Sequence, residues 1–430
     1  MIPITAGMTP TQFNAAMNSN VADLGLTGKP IDFTALQKGH EVQTAFAHNL
    51  LGTFTGTSST DYINFINSAF GNVSLANKVI VGAVDVKTFG ATGDGVTDDS
   101  ANIQTAVNAG NIIIQNGVFL MGDSLKIPSN RTVYLFNCKI KKADASYDNF
   151  FRNSDMVNGN VNIKVLGLGA VEFDGNAVNN NDGYVTYGPK NDYPIHGVPG
   201  GEFAYRYIGF IFHKVDGFEI AGLSIDNYSH WFGYLQRSCN GSVHDIYIDC
   251  SFLTTPSNQD FVALSYNAYN VEFYNIASTT ADDFSNLGVA HYSDLAFTGI
   301  ANWNVGDVHD LYYHDIHIYS TPAHSISWIT GDGGKIYNIT YKDIVSDYAN
   351  MPFGTCYFGY YDVAPAVGDT YNILMDNITF NAAGTVVFNF CEGVTDFTAK
   401  NIINKTGLAT YRNWGGDLTH NVTINGVQLT

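Results

Sequence analysis

From about residue 84 onward, apolar and polar positions alternate in short runs, each interrupted by an Asn, Asp or Gly followed by an aliphatic residue. A period of two marks a strand with one buried face. The clearest runs are GFEIAGLSI (217–225), GSVHDIYI (241–248), NVEFYNIAS (270–278), LYYHDIHI (311–318), GKIYNITYKDI (334–344), YNILMDNITF (371–380), DFTAKNIIN (396–404) and NVTINGVQL (421–429). Anchored on the aliphatic after the polar residue, they give Leu223, Ile246, Ile276, Ile316, Ile344, Ile378, Ile402 and Val427, spaced by 23, 30, 40, 28, 34, 24 and 25 residues. The shorter spacings suit one coil of a solenoid, and the longer ones a coil carrying an inserted loop. A β-sandwich also repeats strands, but without a fixed motif at coil-like spacing. The polar residue before each anchor falls at a turn, where Asn and Asp tolerate left-handed geometry and can stack coil on coil. The pattern predicts an all-β solenoid over residues 81–430.

The stretch Val84 to Phe119 is read as the start of the solenoid. Val84 and Val86 suggest a short strand, and Gly93-Asp94-Gly95 a turn. Thr97 is placed as the helix cap, with Asp98 and Asp99 in the first helical turn. Ile103, Ala106 and Val107 form the buried stripe of one short amphipathic helix, and Asn111 to Ile114 return to strand. Asp94, Asp98 and Asp99 are assigned to turn and cap. Residues 1–80 read differently, with helical patterns over Gln12–Leu24, Phe33–Leu51 and Asp61–Phe70. Three short helices with little shared core suggest a segment that docks on something else. Residues 176–206, rich in Asn, Gly, Pro and Tyr, read as a long loop.

Charge narrows the partners. Lys and Arg number 20 against 39 Asp and Glu, a formal net charge of −19, so a phosphate backbone is repelled and nucleic acid is excluded as partner. Aromatics reach 13% and charged residues only 14%, a balance that suits a β solenoid or a carbohydrate-binding surface. No run approaches about 18 consecutive apolar residues, so no membrane insertion is expected. The N-terminus lacks the basic and apolar regions of a secretory leader. Five cysteines, an odd number without CxxC or zinc-type spacing, read as buried free thiols. His309, His314 and His317 are spaced to fall on different faces, so no metal site is predicted.

The stretch Val84–Phe119 closely resembles the first coil of pectate-lyase-like right-handed parallel β-helices, common in virus tailspikes and polygalacturonase-like enzymes. Further motifs follow in family order. Val171-Glu172-Phe173-Asp174-Gly175-Asn176 resembles an I-D-G-N-G coil, and Asn227-Tyr228-Ser229-His230-Trp231 an N-S-P-x-W coil. Ser257-Asn258-Gln259-Asp260-Phe261 falls where the family has N-T-D-G. Asp282-Asp283 falls at G-D-D, and Pro322-Ala323-His324-Ser325 at G-H-G. The resemblance covers roughly 84–350.

The resemblance implies catalytic roles for Asp260, Asp282, Asp283 and His324, and substrate contacts from Tyr228, His230, Trp231 and Asn258. Asp283 would be the general acid, Asp260 and Asp282 would position or deprotonate water, and His324 would tune a carboxylate. Inverting glycoside hydrolysis needs such an acid and base, and crowded carboxylates raise one pKa to supply the acid. The aromatic faces of Tyr228 and Trp231 are of the kind sugars stack on. No metal or cofactor is implied. Departures are Gln259 and Phe261 around the first Asp, Ala323 and Ser325 around the histidine, and no basic residue over 355–362, where the family clamps a substrate carboxylate. Galacturonan is therefore disfavoured. The whole implies a virus tailspike or tail-fibre-like protein in the virion, released by host lysis. It would attach to tail or baseplate proteins through residues 1–80, form a homotrimer, and bind and hydrolyse a host-surface polysaccharide. A non-catalytic receptor-binding or structural tail component is the alternative. A secreted polygalacturonase-like hydrolase is disfavoured by the missing leader and clamp.

Overall fold

The computed structural model describes residues 82–146, 148–180, 209–228, 231–250, 259–280, 282–289, 306–329, 334–355, 369–390, 394–413 and 420–429. They form a right-handed parallel β-helix. The predicted helices of residues 1–80 lie outside the described residues, as do residues 181–206 of the loop predicted over 176–206; its first residues instead form one helical turn, Ala177–Asn180, with Asn180 bonded back to the Gly175 and Asn176 carbonyls.

Two parallel faces run the length of the solenoid. The broad face stacks Asn111–Met121, Arg131–Lys142, Asn160–Asp174, Val215–Asp226, Cys239–Asp249, Ala268–Thr279, the first half of Val308–Ile329, Ile336–Ser346, Thr370–Phe380, Val394–Asn404 and His420–Ile424. The narrow face stacks short strands, among them Phe210–His213, Gly233–Gln236, Val262–Ser265, Ser285–Gly288, the second half of Val308–Ile329 and Ala349–Thr355. The core lies between them.

The sequence anchors fall in one register: Leu223 pairs with Ile246, then Ile276, Ile316, Ile344, Ile378 and Ile402, coil after coil. All seven are buried. The residue before each is left-handed, from Asp315 and Asp343 at φ 53° to Gly222 at φ 71°. A second left-handed position lies five residues earlier, at Asn240, Asn270, Asp310, Asn338, Asn372 and Asp396. Each broad strand from Cys239–Asp249 to Val394–Asn404 is therefore bent twice by single residues whose short polar side chains suit that geometry. The same side chains then bond along the stack: Asn377 Nδ2 donates to Asp343 Oδ1 at 2.6 Å, and Asn372 Nδ2 to Asn338 Oδ1 at 2.6 Å.

Val427 breaks the series. It sits in an antiparallel return pairing with Ile424 and is 60% exposed, because the last strand turns back on itself instead of starting another coil.

Aromatic rings also stack at coil spacing. Inside, Phe273, Tyr313 and Tyr341 lie 4.5 and 5.0 Å apart between centroids. Each such ring buried from water contributes about 2–3 kcal/mol. Outside, Tyr269, His309, Tyr337 and Tyr371 form a column with centroids 5.0, 4.8 and 4.9 Å apart. The histidines singled out in the sequence are each held by a carboxylate: His309 by Asp310, His314 by Asp315 and Glu272, and His317 by Asp347. Among the described residues, no cluster of His, Cys, Asp or Glu is arranged to hold a metal. Cys138, Cys239 and Cys250 are free and buried; Cys356 and Cys391 lie outside the described residues.

The first coil differs in detail from its reading. The helix spans Ser100–Ala109 with Ile103, Ala106 and Val107 buried as expected, but Asp99 is its N-cap and Thr97 lies in the strand Asp94–Asp98. The reason is that Asp94 takes Thr97 for a tight turn, accepting bonds from the Val96 and Thr97 N–H groups and the Thr97 hydroxyl. Asp98 instead accepts from the Ser100 N–H, and Asp99 turns back to the N–H groups of Thr92 and Gly93. All three aspartates serve turn and helix start, as the sequence suggested.

Candidate active site

The narrow face fixes the site. Its strands begin in register at Gly233, Val262, Ser285 and Ile326. Backbone bonds extend that register backward, from Phe232 N to Asp260 O, Phe261 N to Asp283 O and Phe284 N to His324 O. Trp231, Asp260, Asp283 and His324 therefore occupy equivalent positions on four successive coils, about 4.8 Å apart per coil. The next residue in three of these coils is a phenylalanine pointing inward. Phe232, Phe261 and Phe284 are wholly buried and stack, with centroids 6.3 and 5.2 Å apart. Phe261, a departure from the family pattern, is thus a rung of an internal ladder that holds the polar row in place.

Asp283 is the most constrained of the row. Its Oδ1 accepts from the main-chain N–H of His324 and faces the His324 Nδ1, both at 2.8 Å. Its Oδ2 accepts from the Ser327 hydroxyl, also at 2.8 Å. His324 and Ser327 are wholly buried. Asp260 is 2% exposed, and its Oδ1 accepts from the Asp283 N–H at 3.3 Å. Burial, reinforced by the nearby charges of Asp283 and Asp282, pushes the Asp260 carboxyl well above the usual range.

Asp282 contrasts with both. It is half-buried, and its carboxylate has no hydrogen-bond partner among the described residues. Its carbonyl is held by the hydroxyls of Thr280, at 3.0 Å, and Thr321. Burial and the Asp283 charge push its pKa up to about 7, against a lowering by His324.

The predicted substrate contacts separate. Trp231 is half-buried, packs against Tyr234 at 5.5 Å, and has a buried Nε1 without a partner among the described residues. Tyr228 corrects its reading: it is 2% exposed, belongs to the hydrophobic core, and sends its hydroxyl to the Asp260 carbonyl at 3.3 Å. Its ring packs on Phe232 and offers no face to a sugar. The chain must approach closely here, since a Cβ on Gly175 of the neighbouring coil would sit 2.5 Å from the Tyr228 Cα. Gln259 is likewise structural, donating to the Tyr228 carbonyl at 2.7 Å. His230 and Asn258 lie outside the described residues.

Ser327 was missed by the sequence reading. Its signal was available: in His324-Ser325-Ile326-Ser327-Trp328, Ile326 and Trp328 are core residues, so Ser327 must face outward with the polar row. Asp226 was also missed. Burial and the charges of Glu172 and Asp174 raise it to about 6, and it stands in register with Asp174 and Asp249 on the broad strands.

No protein-family profile matches the chain. The pre-neck appendage protein of Bacillus phage B103 is 47% identical over 51 residues, which is 12% of this chain and only 6% of that protein's length. Among solved structures, the polygalacturonase of Erwinia carotovora ssp. carotovora superposes with a TM-score of 0.53 at 14% identity, over 77% of this chain and 95% of that one. PfbA, a surface adhesin of Streptococcus pneumoniae, superposes with a TM-score of 0.50 at 14% identity, over 76% and 79% of the two chains. The chain is a parallel β-helix protein of the kind seen in polygalacturonases and in that adhesin, and it carries a row of three buried or half-buried aspartates beside a buried histidine.

Proposed function

We propose that this protein is a virion-borne glycoside hydrolase of inverting type, acting on a host-surface polysaccharide through the Asp260–His324 row. The observation that carries the reading is the division between adjacent aspartates. Asp282 is half-buried, has no partner for its carboxylate among the described residues, and is pushed up to about 7 by burial and the Asp283 charge, whereas both oxygens of Asp283 are held by donors. Asp282 would protonate the glycosidic oxygen as its bond to the anomeric carbon breaks. Asp283 would take a proton from the attacking water on its remaining Oδ2 lone pair. This exchanges the acid role expected for Asp283 with its neighbour. Buried His324 would act through Asp283, and Asp260 would stay protonated beneath the pair. Trp231, one coil before Asp260, would present a face to the adjoining sugar. A virion location is supported by the local likeness to a phage appendage protein; attachment through residues 1–80 and a trimeric assembly belong to the same proposal.

The test is reducing-end release from purified neutral and N-acetylated bacterial surface polysaccharides, comparing wild type with Asp282→Asn. Release by the wild type and its loss in the variant are expected. Equal release by both would remove the site assignment. Binding without release on every glycan tested would leave an adhesin.

A further inference from the structure

The geometry points to Ser327 as a positioning residue for the base, one that fixes which oxygen of Asp283 meets water; the inference rests on the hydrolase reading above. An ionised carboxylate offers four lone-pair positions. On Asp283, Oδ1 fills both of its own with the His324 main-chain N–H and the His324 ring. Oδ2 receives one bond, from Ser327 Oγ. Among the described residues this leaves one acceptor position, on Oδ2, and its direction is set by where the serine hydroxyl stands.

The strand holds that hydroxyl firmly. Ile326 pairs with Ser285 and Phe353, and Trp328 donates from Nε1 to the Tyr341 hydroxyl at 3.0 Å inside the core. With both neighbours anchored inward, the Ser327 side chain is directed to the opposite side of the strand, where it is wholly buried against Asp283. It stands in register with Asn286, Ala263 and Tyr234 on earlier coils, none of which carries a hydroxyl at that depth beside an aspartate. The base-supporting contact is thus peculiar to the coil that carries His324.

In the reaction, water would form its C–O bond to the anomeric carbon while one of its O–H bonds passes its proton to Asp283 Oδ2. The departing oxygen would take its proton from Asp282.

The experiment compares the full wild-type chain with Ser327→Ala and with Ser327→Thr, which keeps the hydroxyl and is expected to restore what Ser327→Ala loses. On any glycan the wild type cleaves, Ser327→Ala should lower kcat roughly tenfold with KM little changed and move the acid limb of the pH profile upward. A kcat and pH profile unmoved in Ser327→Ala, in protein with wild-type circular dichroism, would overturn the inference while leaving hydrolysis standing. Absence of turnover by the wild type on every glycan would overturn the hydrolase reading instead, and with it the catalytic meaning of the contact.

Discussion

His324 holds one oxygen of Asp283 from two directions, its main-chain N–H and its Nδ1 each lying 2.8 Å from Oδ1. The two residues are 41 positions apart in sequence but neighbours across one step of the solenoid. One bond is fixed by the parallel stacking itself, and the other by a wholly buried ring. A side chain held this way cannot swing, so the freedom in the site belongs to Asp282.

Asp282→Asn should therefore abolish turnover. Loss of the proton donor is expected to lower kcat by about 10²–10⁴-fold. In the wild type the alkaline limb of activity should fall near pH 7, where Asp282 loses its proton. An alkaline limb unchanged in position after any substitution that keeps activity but alters the surroundings of Asp282 would count against it as the acid.

The same substitution should stabilise the fold, but only at the right pH. Asp282 is raised to about 7 in the folded state from an ordinary 3.8. At pH below 3.8 it is protonated in both states and has no effect. As the pH climbs from about 4 to 7 the unfolded chain sheds the proton first, so stability drains away through this window. Asp282→Asn should match wild type at pH 4 and melt several degrees higher at pH 8, by scanning calorimetry. Equal melting temperatures at pH 8 would show that the carboxyl is not strained by its site.

These proton assignments were only half legible in the sequence. The coil motif could be read because its physics is local: a left-handed Asn or Asp before a buried aliphatic repeats at every turn from Asp245 to Asn401. The row Asp260, Asp283, His324 was offered by the resemblance of three motifs, in family order, to those of polygalacturonase-like β-helices. Which aspartate of 282 and 283 is engaged depends on Ser327 and on the backbone of His324, contacts made across coils with no trace in neighbouring residues. Tyr228 failed for the same reason. An aromatic beside candidate site residues looks the same in sequence whether it faces a groove or the core.

His324→Ala should cost both stability and activity. It removes a wholly buried ring and leaves Asp283 Oδ1 with one donor, so a loss of about 2–4 kcal/mol in urea unfolding is expected. His324→Gln, which keeps a donor of similar reach, should recover part of the stability without recovering full turnover. If His324→Ala unfolds at the wild-type urea concentration, the contact contributes nothing to the fold.

His244, on the broad face, predicts a fall of stability with rising pH in a higher window, this time through loss of a favourable contribution. Burial alone would lower its pKa, but hydrogen bonds to Asp245, at 2.8 Å, and to Glu219 raise it to about 9. A histidine raised in the folded state contributes stability that is complete below pH 6.5 and lost as the pH rises through 9. His244→Ala should therefore lose roughly 1–3 kcal/mol relative to wild type at pH 6 and much less at pH 10.

The stacked turns make the last prediction. Asn377 is left-handed at φ 58° and donates from Nδ2 to Asp343 Oδ1 one coil earlier. Ala at that position loses the bond and must hold a Cβ in a conformation that costs an L-residue about 1–2 kcal/mol. Gly loses the bond but adopts the conformation freely. Asn377→Gly should therefore be the milder change, and the difference between the two in urea unfolding should be about 1 kcal/mol in favour of Gly, despite its greater chain entropy when unfolded. If Ala is instead the milder of the two, the turn is set by the stacked coils on either side and not by the residue that occupies it.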